Sequence, residues 1–451
     1  MTNTAILAAA AWLLLAYALE RFGRRFRVPA VVMLILCGLA VRQILDAFGI
    51  ELRWIQPIVP VIGTVGLILI VLEGALDLTV TRERQSLILA AAAASFAGFV
   101  AGVAGFALLF TGVVGLPLST ALLVAIPFAV VSSSVAIPAA AGLPDASREF
   151  VVYESSLSDI LGVLVFYSWL VADGSLDRFA ADLIGGGALS VVVAFFAAVA
   201  LFYFINQIEG HVRFVPLLAG LVLLYAVGKE AHLSPLIIVL VCGLVINNPR
   251  LVTWHRSMRK LRTEGYADTL REFKSIVAEL TFATKSVFFL LLGYWTDVRS
   301  MLSVSALLVA ISGVAGILAA RFVVLKLIRR PDTATLLWLA PRGLVTVLLF
   351  LSAQHAGKVE GFPFGAVMLV VLITSALTAL AHRSTFVTDP VATRGDAAPL
   401  PVAGAATAIP AAASGAVVTA ETGAVVTAET VATGAAPGAG PLPTGNPTAP
   451  T

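Results

Sequence analysis

The sequence predicts an all-α polytopic membrane protein with about thirteen transmembrane helices. Three observations carry that prediction. Hydrophobic residues fill 59% of the 451 positions. Charged residues fill only 12%, about half the ~25% of a typical soluble chain. The apolar residues gather into runs of roughly 20, the length that crosses a bilayer as a helix, and mean hydropathy is +0.99. So little charge cannot coat a water-facing surface of this size. A cytosolic enzyme, a nucleic-acid binder and a disordered chain are thereby excluded. The net charge of +3 is too small to imply a polyanionic partner. Cys37 and Cys242 lie within apolar runs and indicate neither a disulfide framework nor a metal site.

The runs are 3–19, 28–47, 58–76, 86–110, 118–142, 149–172, 183–205, 213–228, 233–247, 275–295, 303–325, 333–354 and 362–382. They are numbered as spans 1 to 13. Span 1 is not a cleavable signal peptide. No Lys or Arg precedes it, and Glu20, Arg21, Arg24, Arg25 and Arg27 follow it. With the N-terminus outside, the cytoplasmic segments hold 20 Lys and Arg and the outer segments 6. That bias fixes the orientation. It also supports an odd span count, with the C-terminus inside. The expected location is the plasma membrane.

Residues 1–385 form the transmembrane domain in this reading. Residues 386–451 are Ala, Gly, Thr, Pro and Val with a tandem repeat, GAVVTAET, at 415–422 and 423–430. Their prolines and glycines leave no 20-residue run. They are expected to be a disordered cytoplasmic tail, with no regulatory domain.

Two pairs of spans match at one offset. Span 2 contains Pro29 and Cys37-Gly38-Leu39; span 9 contains Pro235 and Cys242-Gly243-Leu244. Span 5 has Pro127 and Pro138 around Ser132, Ser133 and Ser134, and span 12 has Pro341-Arg342-Gly343 in its middle. Both offsets are seven spans, which inverts topology. Spans 1–6 and 8–13 are therefore expected to be inverted repeats, with spans 5 and 12 interrupted and crossing at the midplane. Such repeats characterise secondary transporters. The interruptions place backbone polar groups where an ion can use them.

Ionisable side chains inside spans cost about 2.5–3.5 kcal/mol each on insertion scales, so each needs a reason. Counting depth at about 1.5 Å per residue, Asp159, Lys285, Arg342 and Ser132 to Ser134 share a mid-membrane layer. Glu154, Arg321, Glu73 and Glu279 lie nearer the cytoplasm. Glu154 and Arg321 match in depth and oppose in charge, as a buried ion pair would. Asp159 is too short and too deep to reach the interface. A carboxylate there can alternate between a protonated and a cation-bound state. Ser155 lies one turn from Asp159 on the same helix face, and Glu154 and Ser158 share the adjacent stripe. Hydroxyl, carboxylate and exposed carbonyl oxygens suit a hard monovalent cation, so Asp159 is the expected Na+ or K+ ligand. Glu73 and Ser132, Ser133 and Ser134 complete the candidate ion-binding set.

These residues resemble the monovalent cation/proton antiporters of the sodium/proton exchanger type, over roughly residues 5–383. Glu154-Ser155-Ser156-Leu157-Ser158-Asp159 with Gly162 resembles the family's Glu-Ser-x-x-Asn-Asp helix. Glu73-Gly74 with Leu76 and Asp77 resembles the end of its third span, and Phe288-Phe289 with Gly293 resembles its tenth. Ala320-Arg321-Phe322 resembles the segment whose arginine pairs with the motif glutamate, and Pro341-Arg342-Gly343 the second broken helix. Two departures stand out. Ser158 replaces the motif Asn, and Ser132-Ser133-Ser134 replaces a Thr-Asp-Pro that often marks the first broken helix.

The resemblance to the single-Asp branch implies electroneutral exchange, a homodimer, and moving spans 4–6 and 11–13 against a scaffold. Lys285, Arg321 and Arg342 are the candidate countercharges. No cofactor is expected beyond the transported Na+ or K+ and H+. The serine changes leave K+/H+ exchange as an alternative. A cation channel, an organic-anion transporter using Arg342 and Lys285, and an intramembrane enzyme are the readings from other classes. The channel lacks a pore-loop filter. The enzyme lacks a motif, since the five histidines lie in loops or at span ends.

Overall fold

Proline marks where several helices begin. Pro29, Pro117, Pro144 and Pro363 each stand immediately before one. Proline lacks an N–H, and the first N–H groups of a helix have no intrahelical partner anyway. A computed structural model describes residues 2–26, 28–49, 58–79, 84–207, 214–231, 233, 235–249, 266–359 and 362–381. They lie within one compact unit, Met1–Thr393. The tail proposed at 386–451 lies outside the described residues, as do Arg27, Arg82 and most of the basic segment at 250–265.

Among the described residues the fold is all-helical. The helices are α1 (Thr2–Phe26), α2 (Ala30–Ala47), α3 (Ile58–Asp77), α4 (Gln85–Leu109), α5 (Leu118–Ala129), α6 (Ser133–Ala139), α7 (Asp145–Ala172), α8 (Leu176–Ala181) and α9 (Gly187–Gln207). There follow α10 (Phe214–Glu230), α11 (Pro235–Asn247), α12 (Tyr266–Trp295), α13 (Val298–Met301), α14 (Val304–Leu327), α15 (Thr333–Leu336), α16 (Leu344–His355) and α17 (Phe364–Leu377). All thirteen apolar runs fall on helix. Seven helical stretches are long and apolar enough to cross a membrane, and α11, α16 and α17 are apolar but shorter.

Runs 118–142 and 333–354 are each broken, into α5 with α6 and α15 with α16. The boundary that differs most from expectation is that of α12. α12 starts at Tyr266, where the apolar run starts at 275. Tyr266 and Phe273 are buried while Asp268, Arg271 and Glu272 are exposed. The helix therefore continues on its buried face after hydropathy has fallen.

Two seams fix the packing. α2 meets α12 backbone to backbone: a Cβ on Gly38 would come within 2.2 Å of the Leu290 carbonyl oxygen, and one on Gly293 within 2.2 Å of that of Ile35. α11 meets α3 similarly, with Gly243 against Leu72 and Ala75. Elsewhere large side chains fill the space. Phe106, Phe110, Phe128, Phe350 and Phe362 cluster with ring centroids 5.1 to 6.0 Å apart. They join the end of α4 to α5, α16 and the segment before α17.

A buried ion pair ties α7 to α14. Arg321 Nη1 and Nη2 donate to Glu154 Oε1 and Oε2 at 2.8 and 2.9 Å. Its Nε donates to the Leu336 carbonyl at 2.6 Å, so α15 is held as well. Such a fork-to-fork pair satisfies both groups in a low-dielectric interior.

Two outcomes are expected from these contacts. Glu154→Gln strands the Arg321 charge and should cost about 3–5 kcal/mol, seen as a lower thermal unfolding temperature in detergent. Exchanging the two charges should recover only part of it, because the Leu336 carbonyl would then face a carboxylate. Additive losses with no recovery would argue against pairing. Gly293→Val has no space, so it should unfold at lower temperature than a substitution at Gly105, where a Cβ meets nothing within 4 Å.

Candidate ion-binding site

The site forms where the two broken helices touch. α5 ends at Ala129, Val130 turns extended, and α6 begins at Ser133. The second break runs from Leu337 to Gly343. A chain break inside a membrane frees N–H and C=O groups that need partners. Here the breaks supply partners for each other and draw on two neighbouring helices, α7 and α17.

Ser132 N donates to the Pro341 carbonyl at 2.9 Å, which joins the breaks directly. Gly343 makes room for the contact, since a Cβ there would lie 2.6 Å from Ser132 Oγ. From α7, Ser158 Oγ accepts from Val131 N at 2.9 Å. Asp159 Oδ2 accepts from Ser133 N at 3.0 Å and from Ser133 Oγ at 2.5 Å. Gly162 lets the broken strand lie against α7, because a Cβ there would meet Val130 Cγ2 at 2.0 Å. Ser158, Asp159 and Gly162 thus form one face that grips 130–133.

Asp159 is buried. Its Oδ2 is committed to Ser133, while Oδ1 accepts no hydrogen bond among the described residues. The carboxylate is held from one side with an oxygen left for a proton or a cation. Asp159 forms no ion pair with any described residue.

The other predicted residues divide into groups. Ser155 is buried beside Asp159, and its hydroxyl donates to the Val151 carbonyl at 2.7 Å. Its lone pairs remain available. Ser132 and Ser134 share a hydrogen bond of 2.9 Å, so Ser133 alone of the three serines bonds Asp159. Glu73 on α3 is half-buried, hydrogen-bonded to Thr281 and in electrostatic contact with Lys285, both of α12. Lys285, expected as a countercharge, is thus a neighbour of Glu73 and makes no ion pair with Asp159. Ser134, Lys285 and Ser286 line a cavity of about 460 Å³ that runs between α2, α6 and α12. Glu279 is exposed on α12.

Arg342 is buried at the second break. Its Nε donates to the Phe128 carbonyl at 2.5 Å and its Nη1 to the Ala340 carbonyl at 3.0 Å. It therefore caps carbonyls freed at both breaks. Arg321 is engaged with Glu154 and is not at Asp159.

Sequence reasoning missed three groups. Thr374 Oγ1 accepts from Arg342 N at 2.9 Å, and Ser375 Oγ donates to the Arg342 carbonyl at 3.2 Å. Their signal was a polar pair within the apolar run of α17. Ser156 is buried against Gly74 of α3, whose Cβ position lies 3.5 Å from its Oγ. It sat in plain view inside the Glu154–Asp159 motif. Among the described residues no three His, Cys, Asp or Glu side chains group as metal ligands.

The chain resembles two solved structures of the sodium proton antiporter MjNhaP1 from Methanocaldococcus jannaschii. One, at pH 8, gives a TM-score of 0.68 at 18% identity over 85% of this chain and 98% of that one. The other, from electron microscopy, gives 0.65 at 18% identity over 86% and 97%. At that identity the likeness establishes a shared fold. No curated protein sequence matches the chain. The family described as sodium/hydrogen exchanger, transmembrane, matches residues 10–385. A chain matched over most of its length in this way, with its two breaks and its charged helix in the same stretch, belongs to the sodium/hydrogen exchanger family of membrane antiporters.

Proposed function

We propose that the protein exchanges Na+ for H+ at a single site, with the two cations competing for Asp159. One observation carries the reading: a buried carboxylate with no ion-pair partner, anchored by Ser133 where two broken helices meet. A proton or a monovalent cation would neutralise it equally well, so occupancy by one excludes the other. One carboxylate per cycle makes one-for-one, electroneutral exchange the simplest count. Glu73 is left out of that count because it interacts electrostatically with Lys285 and is not at the breaks. K+ remains the alternative cation, since Ser158 is spent on Val131 N rather than on a ligand.

Alternating access is expected to move spans 4–6 and 11–13 together. The proposed repeat of spans 1–6 in spans 8–13 draws support from the seams. α2 on α12 is span 2 on span 10, and α11 on α3 is span 9 on span 3. A seven-span offset turns one contact into the other. Thirteen spans, an outer N-terminus and a cytoplasmic C-terminus rest on the charge bias and the apolar runs. The plasma membrane and the homodimer rest on family resemblance.

The deciding measurement is cation-driven proton flux in proteoliposomes, with Na+, K+ and Li+ compared at several pH values. Asp159→Asn should abolish exchange while leaving the protein folded; normal exchange by that variant would refute the site. Competition predicts that the apparent KM for the cation rises as pH falls, approaching about tenfold per pH unit, at constant maximal rate. A cation flux that runs without moving protons would instead indicate a channel. Ser133→Ala removes a charge-assisted hydrogen bond worth about 1.5–3 kcal/mol. It should weaken exchange by roughly ten- to a hundredfold without abolishing it.

A further inference from the structure

A second cavity, of about 510 Å³, lies between α4 and α14. That volume lies within the range of small-molecule sites, about 300–1,000 Å³. Its mouth is formed by exposed Leu108 of α4 and exposed Ser312 and Gly316 of α14. Both helices qualify as membrane spans. The mouth therefore opens sideways into hydrocarbon, and whatever enters must be soluble in lipid.

The walls are apolar near the mouth and polar at the inner end. Phe99, Leu109 and Ile317 line the passage. Glycine widens it: a Cβ on Gly98, Gly105 or Gly316 would meet nothing within 4 Å. Glycine inside a helix costs about 1 kcal/mol relative to alanine, so packing does not explain these three. The inner end holds Ser95, Glu154, Arg321 and Arg342. Ser95 is 4% exposed, and its hydroxyl has no hydrogen-bond partner.

The charges at the inner end do not cancel. Both oxygens of Glu154 are taken by Arg321. Arg342 bonds two carbonyls and is paired with no described carboxylate. The three groups sum to one uncompensated positive charge. A buried charge of that kind is costly and favours an anion. A guanidinium recognises a carboxylate best, through paired N–H groups.

We propose that this cleft binds the anion of a long-chain fatty acid. Its carboxylate meets Arg342 and Ser95, and its chain lies along Phe99 and Ile317 towards the mouth. The site is distinct from Asp159 but not independent of it. Arg342 holds the Phe128 carbonyl at the first break, and Val131, which Ser158 grips, also lines the cleft. A bound carboxylate would compete with those carbonyls for Arg342 and so bias the geometry of both breaks.

The test measures binding of radiolabelled palmitate to the full chain purified in detergent, with hexadecanol as the uncharged chain of equal length. The readout is binding, because fatty acids carry protons across vesicles unaided. Palmitate should bind saturably, one per chain, and at least tenfold tighter than hexadecanol. Gly98→Leu and Gly316→Leu fill the passage, and each should weaken palmitate at least tenfold. Both variants should keep the wild-type elution volume and thermal unfolding temperature in detergent, which certifies their fold. Ser95→Val, which removes only the hydroxyl, should weaken binding several-fold. Absence of saturable palmitate binding, equal binding of hexadecanol, or undiminished binding by a folded Gly316→Leu variant would overturn the proposal. None of these outcomes depends on whether Asp159 carries the exchanged cation.

Discussion

Two helices broken inside a membrane leave backbone groups that water cannot reach. Each such group costs several kcal/mol if it stays unpaired. Most of what surrounds the breaks in this protein answers that constraint. Ser132 N finds Pro341, Val131 N finds Ser158, Ser133 N finds Asp159, and Arg342 takes the carbonyls of Phe128 and Ala340. α17 contributes Thr374 and Ser375 to the same end. The polar residues of the core are thus partners of the backbone first. Asp159 is both: one oxygen completes the first break and the other faces outward from that duty.

This division sorts the charges of the core. Arg342 satisfies the backbone. Glu154 and Arg321 satisfy each other and bind α7 to α14 and α15. Lys285 of α12 acts on Glu73 of α3 electrostatically. Neither Asp159 nor Arg342 has an ion-pair partner among the described residues; Arg342 is held by carbonyls, and an ion that comes and goes can balance Asp159. In the proposed exchange a structural role and a transport role meet in one side chain, and the hydrogen bonds of Ser133 join them.

Much of this was legible in the sequence because membranes restrict the alternatives. Every apolar run falls on helix, though the short α8 and α13 lie outside the runs, and Pro341-Arg342-Gly343 and the serine triplet marked both breaks. Matching depth and opposite charge were enough to pair Glu154 with Arg321. Depth counting says nothing about azimuth, however. It set Lys285 level with Asp159, yet Lys285 lines the cavity between α2, α6 and α12 and makes no ion pair with Asp159. It could not assign Ser132, Ser133 and Ser134 separately, because adjacent residues at a chain break point in different directions. The extension of α12 to Tyr266 was hidden for a different reason. A half-buried amphipathic turn does not register as an apolar run.

The seam between α2 and α12 has a mechanical consequence. Gly38 and Gly293 bring the two backbones together with no side chain between them. Interleaved side chains can swap rotamers and let helices slide; two abutting main chains have no such bearing. Shear along this line would drive carbonyl oxygens into peptide planes. α2 and α12 must therefore travel, or stay still, as one beam. Any displacement of the Asp159 region relative to α2 and α12 has to take place against that beam and not within it.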